Sequence, residues 1–215
     1  MRSKPPAPGF TVVELLAVIG VIALLCGILV PTLGAARSAA LRAKTRMQFA
    51  QWTAALEQYR QEYGYYPAVG TAGRLATAAD TVKFVRTLSG RNVDGSAIAG
   101  TADLNGNAKR IAFLAFTVGD FFDPDHPDSG ADYDGDELLQ DAFGNTEIGL
   151  LVDGTGDGLV RPGDDGPVAA VAGAQSHISV APQAADLPAA GVRAGVLIYS
   201  AGRGHGQADM ILSWK

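Results

Sequence analysis

A single cysteine, Cys26, is all this 215-residue chain contains, so it can form no intramolecular disulfide. That cysteine lies inside an apolar run, where a thiol behaves as a small hydrophobe. Positive charge is also in short supply. Seventeen Lys and Arg face 22 Asp and Glu, leaving a formal net charge of −5, which excludes a broad nucleic-acid footprint and predicts no nucleic-acid partner. Histidine is scarce as well: His126, His177 and His205 are scattered, none at metal-ligand spacing from Cys or another His. The serines lack a nucleophile-elbow context. The segment Gly202-Arg203-Gly204-His205-Gly206 hints at a phosphate loop, but the residues after Gln207 read as a strand instead of a helix. No catalytic set emerges, and the expectation is a protein that is not an enzyme.

What is present describes a folded chain, 47% hydrophobic and 18% charged, long enough for one ordinary domain plus an appendage. Residues 1–9 carry Arg2 and Lys4 among Pro5, Pro6 and Pro8, which prevent a regular helix. Residues 10–33 are almost continuously apolar, with Glu14 the only charge. A stretch of roughly 20 apolar residues spans the ~30 Å hydrocarbon core, so this segment reads as a transmembrane helix. A secretory signal peptide is the ordinary alternative. It fails because the run is too long and holds a carboxylate near its start.

Beyond Pro31, small and apolar residues recur at Leu33, Ala36, Ala40, Ala43, Met47, Ala50 and Ala54. A second stripe runs Phe49, Trp52, Leu56, Tyr59 and Tyr63, at the 3,4 spacing of one helix face. It reads as the face on which a sheet packs. Gly64 and Pro67 stop the helix. A short amphipathic helix is expected over 78–88, closed by Ser89-Gly90. Strands are expected over 111–116, 147–152, 177–180, 196–200 and 210–213, with acidic loops over 123–136 and 153–165. Residues 168–195 read as an Ala/Gly/Pro-rich surface excursion.

The most specific signal is Gly9-Phe10-Thr11-Val12-Val13-Glu14-Leu15-Leu16. A short basic leader ends in Gly, then comes Phe, and a Glu stands four residues later in an apolar helix. This resembles the class III signal of type IV pilins and pseudopilins. The resemblance implies a prepilin peptidase that cuts after Gly9 and methylates the new amino terminus at Phe10. It also matches the family's helix-distorting proline to Pro31. Assembly would then rest on Phe10, Glu14 and Pro31.

A carboxylate within a membrane segment costs on the order of 2–3 kcal/mol, and such residues are usually paired and functional. Cutting after Gly9 creates an ammonium at Phe10. The Phe10 ammonium of a neighbouring copy could meet Glu14 and set the axial register of a filament. Charge alone does not orient the helix, because Arg37, Arg42, Lys44 and Arg46 come after it. The resemblance supplies the orientation: a bacterial inner-membrane protein, single-pass, with its head in the periplasm.

Two further stretches resemble pseudopilins. Tyr63-Gly64-Tyr65-Tyr66-Pro67 is similar to the helix-ending Tyr-Pro segment. Asp141-Ala142-Phe143-Gly144-Asn145 and the closing Tyr199-Ser200-Ala201-Gly202 … Asp209-Met210-Ile211-Leu212-Ser213-Trp214 are similar to segments of the major type II secretion subunit. In that family the closing loop is acidic and holds calcium. Here Arg203-Gly204-His205-Gly206-Gln207 offers no carboxylate before Asp209.

Calcium is instead expected at Asp153, Thr155, Asp157, the Leu159 carbonyl and Asp164, which match EF-hand loop spacing with Gly158 at the sixth position. An acidic, glycine-rich turn with no ion is the equal alternative. The run Asp132-Tyr133-Asp134-Gly135-Asp136-Glu137 lacks Gly at position six and a carboxylate at twelve, and reads mainly as a solvated loop.

The expected fold is α+β and pilin-like: a long N-terminal transmembrane and amphipathic helix packed on a small antiparallel β-sheet. Its parts are a leader (1–9), a transmembrane assembly half-helix (10–33), an amphipathic half packed on the head (34–63), and a globular head (64–215). The expected function is a structural pseudopilus subunit in type II secretion-like export. Its partners would be other pseudopilins, the peptidase, the inner-membrane platform and the membrane. A type IV pilus subunit, or a non-polymerising membrane-tethered calcium-dependent binding domain, are the alternatives.

Overall fold

The computed structural model describes residues 11–100, 106–126, 132–174, 176 and 178–215, with 28–32 described as helix backbone. The chain divides into two compact units, Met1–Ala40 and Leu41–Lys215. Helix α1 runs Val12–Tyr63, 52 residues. It begins in a capping box. The Thr11 hydroxyl accepts from the Glu14 N–H at 3.2 Å, while the Glu14 carboxylate accepts from the Thr11 N–H at 2.8 Å. Two donors that a helix start would otherwise orphan are satisfied this way. At the other end Gly64 takes φ +82° and donates to the Arg60 carbonyl at 2.7 Å.

The first unit contradicts one expectation. Among the described residues, no helix is long and apolar enough to cross a membrane. Farther along α1, Arg37, Arg42, Lys44 and Arg46 interrupt any such window. The transmembrane helix in the expected fold class is therefore corrected, and with it the single-pass inner-membrane location. What stands is an α+β architecture with a four-stranded antiparallel sheet.

In the second unit the aromatic stripe is buried: Phe49, Trp52, Leu56 and Tyr59 are at most 2% exposed. Phe49, Trp52 and Leu56 share one core with Phe84, Val85 and Leu88 of helix α2 (Ala78–Ser89). Helix α2 also starts in a capping box, Thr77 with Asp80, and ends on Gly90 in the left-handed conformation. The main sheet has the order β1 (Arg74–Leu75), β4 (Ile148–Val152), β7 (Val196–Ser200), β8 (Ile211–Leu212). Its inner residues Ile148, Leu150, Val196, Ile198 and Ile211 complete the core. Both central strands are almost wholly buried, which is why they read as continuous apolar runs instead of alternating ones.

Two small hairpins accompany this sheet. One pairs β2 (Phe121–Phe122) with β3 (Leu138–Leu139), and the other pairs β5 (Val171–Ala172) with β6 (Ser179–Val180). The second corrects the reading of 168–195 as a mere surface excursion. Val171 and Val180 lie in a core cluster with Tyr199, and Leu187 lies in another with Leu197. The strand expected over 111–116 does not form. The N–H groups of Phe113 and Leu114 both donate to the Leu88 carbonyl at the end of α2. Asn107 donates to the Thr87 and Ile111 carbonyls, tying the segment to the same helix end. Orphan carbonyls at a helix C-terminus took donors that a ladder would have used.

Candidate functional site

Gly9 and Phe10 lie outside the described residues, as does the side chain of Pro31. Glu14 is described, and its nearest role is local: it closes the capping box with Thr11. The Thr-x-x-Glu spacing is itself a helix-start signal. Around it, Val12, Val13, Leu15 and Leu16 are between 57% and 75% exposed. Large apolar side chains on this scale, rimmed by one carboxylate, mark a surface that other apolar surface would cover.

In the second unit, the turn Asp141–Asn145 closes on itself. The Asp141 carboxylate accepts from the Phe143 N–H at 2.8 Å, the Asn145 N–H at 3.0 Å and the Asn145 side-chain amide at 2.9 Å. Burial pushes its carboxyl above the usual range, against the hydrogen bonds from Ser200, Asn145 and Phe143. The same Asn145 amide donates to the Gly202 carbonyl at 2.7 Å, fastening the turn to the closing loop. In that loop Asp209 faces Arg42 at 3.4 Å and His205 at 3.7 Å. A basic neighbour on each side makes it a poor place for a metal ion.

The loop expected to match EF-hand spacing is organised around itself. Asp153 is 3% exposed, and its two oxygens accept from the N–H groups of Gly156, Asp157 and Gly158. The Thr155 hydroxyl donates to it as well, at 3.2 Å. Asp157 is paired with Arg161, whose guanidinium holds the Asp157 carboxyl below its ordinary range. The carboxylate that folds back across the loop is Asp165, not Asp164. It accepts from the N–H groups of Gly154, Thr155 and Arg161. Arg161 thus brings a fixed positive charge to the spot where a cation was expected. Asp153, Asp157 and Asp164 are not among the described groups of three close metal-capable side chains.

Two such groups do occur, in the loop between β2 and β3: Asp123 with His126 and Asp132, and Asp132 with Asp134 and Glu137. Their ligand atoms lie within 4.8 Å of one another, so this protein has acidic clusters able to hold a metal ion. Asp123 is buried and accepts from the N–H groups of Asp125, His126 and Asp132. Burial opposes its charge, yet the bonds from His126, Asp132 and Asp125 hold its carboxyl below the usual range. Its neighbour Asp136 goes the other way. Desolvation, then the Asp134 carboxylate beside it, pushes its carboxyl up to about 6. The Asp123, His126 and Asp132 group draws on both hairpin arms and matches no single loop motif, while Asp132, Asp134 and Glu137 lie in the run whose spacing reads mainly as a solvated loop.

No protein-family model, no curated protein and no solved structure matches this chain.

Proposed function

We propose that this chain is a structural subunit of a pseudopilus-type filament in type II secretion-like protein export, and that it performs no catalysis. The observation that carries the reading is the start of α1, where Val12, Val13, Leu15 and Leu16 are exposed beside a single carboxylate. Helices of this kind, laid side by side, bury one another's apolar faces. About 25 cal/mol per Å² of apolar surface removed from water is the driving force for such a bundle. Glu14 then acts as the one polar register mark in an apolar seam, a use well attested for lone polar groups in helix bundles.

The leader Met1 to Gly9 and the amino terminus at Phe10 complete the reading. A prepilin peptidase removes the leader and methylates Phe10. The resulting ammonium pairs with Glu14 of the next copy. Partners are further copies, other pseudopilins and the assembly platform of the export machine. Calcium is the cofactor this reading carries, a hard cation suited to carboxylate oxygens.

The test is assembly. Co-expression of the full chain with a prepilin peptidase and the export platform should yield filaments that are visible by electron microscopy and contain this chain. Soluble, unassembled protein after complete leader removal would overturn the reading. Retractable surface fibres would move it to a type IV pilus.

A further inference from the structure

The β2–β3 hairpin ends in two buried carboxylates. Asp123 comes directly after β2 and Glu137 directly before β3, and the last ladder pair between them is Phe122 with Leu138. Asp123 and Glu137 are each 2% exposed. Asp123 is satisfied by three backbone N–H groups and so serves as the tie that shapes the loop. Glu137 is different. Its Oε1 is buried with no hydrogen-bond partner, while the side chain contributes a carboxylate oxygen within 4.8 Å of those of Asp132 and Asp134. A buried carboxylate oxygen left unpaired keeps its full desolvation cost. Asp136 Oδ1, next along the chain, is buried and unpartnered as well. An orphaned buried acceptor such as that of Glu137, beside the carboxylates of Asp132 and Asp134, is what a bound cation satisfies.

The donor chemistry selects the ion. The carboxylates of Asp132 and Asp134 turn back onto the loop, accepting from the N–H groups of Asp134 and Asp136 at 3.1 and 3.3 Å. Each of these bonds uses one oxygen; the second oxygen of Asp132 faces His126 Nδ1 at 3.2 Å. All three converging donors are hard oxygens, and several carboxylates together suit calcium over magnesium or a soft metal. His126 is half exposed, lies 3.2 Å from Asp132 at the outer side, and is no part of the oxygen-only group.

We propose that Asp132, Asp134 and Glu137 form a calcium site at the mouth of the β2–β3 hairpin, with Asp136 beside them and Asp123 as the positioning residue. The site is separate from the filament helix, and it stands whether or not the chain polymerises. Calcium would gather the arm that leads into β3, beside the Tyr133 ring that meets Phe121 at 6.2 Å.

The experiment uses the full chain in mild detergent, stripped of metal, with calorimetric titration and thermal melting in calcium against chelator. Calcium should bind with measurable heat and raise the melting temperature. Glu137→Gln should weaken binding by about tenfold or more, since ligand charge sets affinity in such sites. Asp134→Asn, at an exposed position, should do the same without touching the core, which covers the case in which Glu137→Gln misfolds. Asp157→Ala should leave binding unchanged. The proposal is overturned by no heat and no melting shift at millimolar calcium, or by binding that survives both hairpin substitutions. Loss of binding in Asp157→Ala would place the ion in the other loop and overturn it too. Zinc or manganese binding in preference to calcium, lost in His126→Ala, would replace the ion and overturn the calcium assignment.

Discussion

The Asn145 side chain bridges two segments: its amide donates to the Asp141 carboxylate at 2.9 Å and to the Gly202 carbonyl at 2.7 Å, and all three residues are buried. A five-residue turn and the closing loop, 57 positions apart, are thereby joined through one side chain. Its own oxygen accepts from the Ala174 N–H at 2.8 Å, so the β5–β6 hairpin is tied in as well. Buried amides with every group satisfied specify one arrangement, because each alternative leaves a donor or acceptor unpaired.

Removing the acceptor at this junction should be costly. Asp141→Ala leaves the Phe143 and Asn145 N–H groups and the Asn145 amide without their shared partner. Buried groups stranded in this way cost about 1–3 kcal/mol apiece, so a loss of about 3 kcal/mol is expected in urea denaturation. A loss within experimental error would mean that water replaces the carboxylate.

The same residue sets a pH dependence with a definite sign. Burial raises the native-state value of the Asp141 carboxyl above its unfolded value near pH 4. The folded state therefore holds the proton more tightly. Its contribution to stability is present below about pH 4 and is lost as pH rises through the raised native value. Denaturation midpoints across this window should fall more steeply for the wild type than for Asp141→Asn, which cannot titrate. Parallel curves would assign the dependence to other carboxylates.

Gly149 faces Tyr199 directly across the β4–β7 ladder. A methyl group on Gly149 would fall inside the Tyr199 ring, and that ring is itself fixed by donation from its hydroxyl to the Ala169 carbonyl at 2.8 Å. Gly149→Ala should destabilise the head by about 3 kcal/mol, the upper range for forcing an extra methyl into a filled core. A melting temperature equal to that of the wild type would show that the ring can swing aside.

Glu14 has two roles that one substitution separates. Gln serves in a capping box as Glu does, so Glu14→Gln keeps the helix start intact while removing the charge. Circular dichroism should be unchanged and filament assembly lost, if the charge meets the Phe10 ammonium of a neighbour. Normal assembly by the Gln variant would assign Glu14 to the cap alone.

Leader removal gives the most direct check on the amino-terminal reading. Gly9→Val should block cleavage by crowding the bond, and intact mass should then retain residues 1–9. The wild type, co-expressed with the peptidase, should lose them and gain one methyl. A wild-type chain that keeps Arg2 and Lys4 contradicts the proposal.

How much of this was legible beforehand depends on the range of the interaction concerned. Helix α2 and its glycine stop derive from Thr77, Asp80 and Gly90, residues within one helical length of each other. The buried face of α1 derives from the 3,4 spacing of Phe49, Trp52, Leu56 and Tyr59. Strand β7 coincides with the apolar run 196–200 because all five side chains are buried. These are local consequences of periodicity and cap chemistry. The failures concern partners farther along the chain. Whether 111–116 forms a strand was decided by the open carbonyl of Leu88, which takes the N–H groups of Phe113 and Leu114. The regular spacing at Asp153 left a cation and an ion-free turn equally open, and only the tertiary structure pairs Arg161 with Asp157 and brings Asp165 across the loop. The irregular run at Asp132 looked like solvated surface until β2 met β3 and drew Glu137 out of water beside Asp132 and Asp134. Residue order specifies which side chains can ionise. Only the tertiary structure decides which carboxylates lose their water, because burial is set by what folds over them.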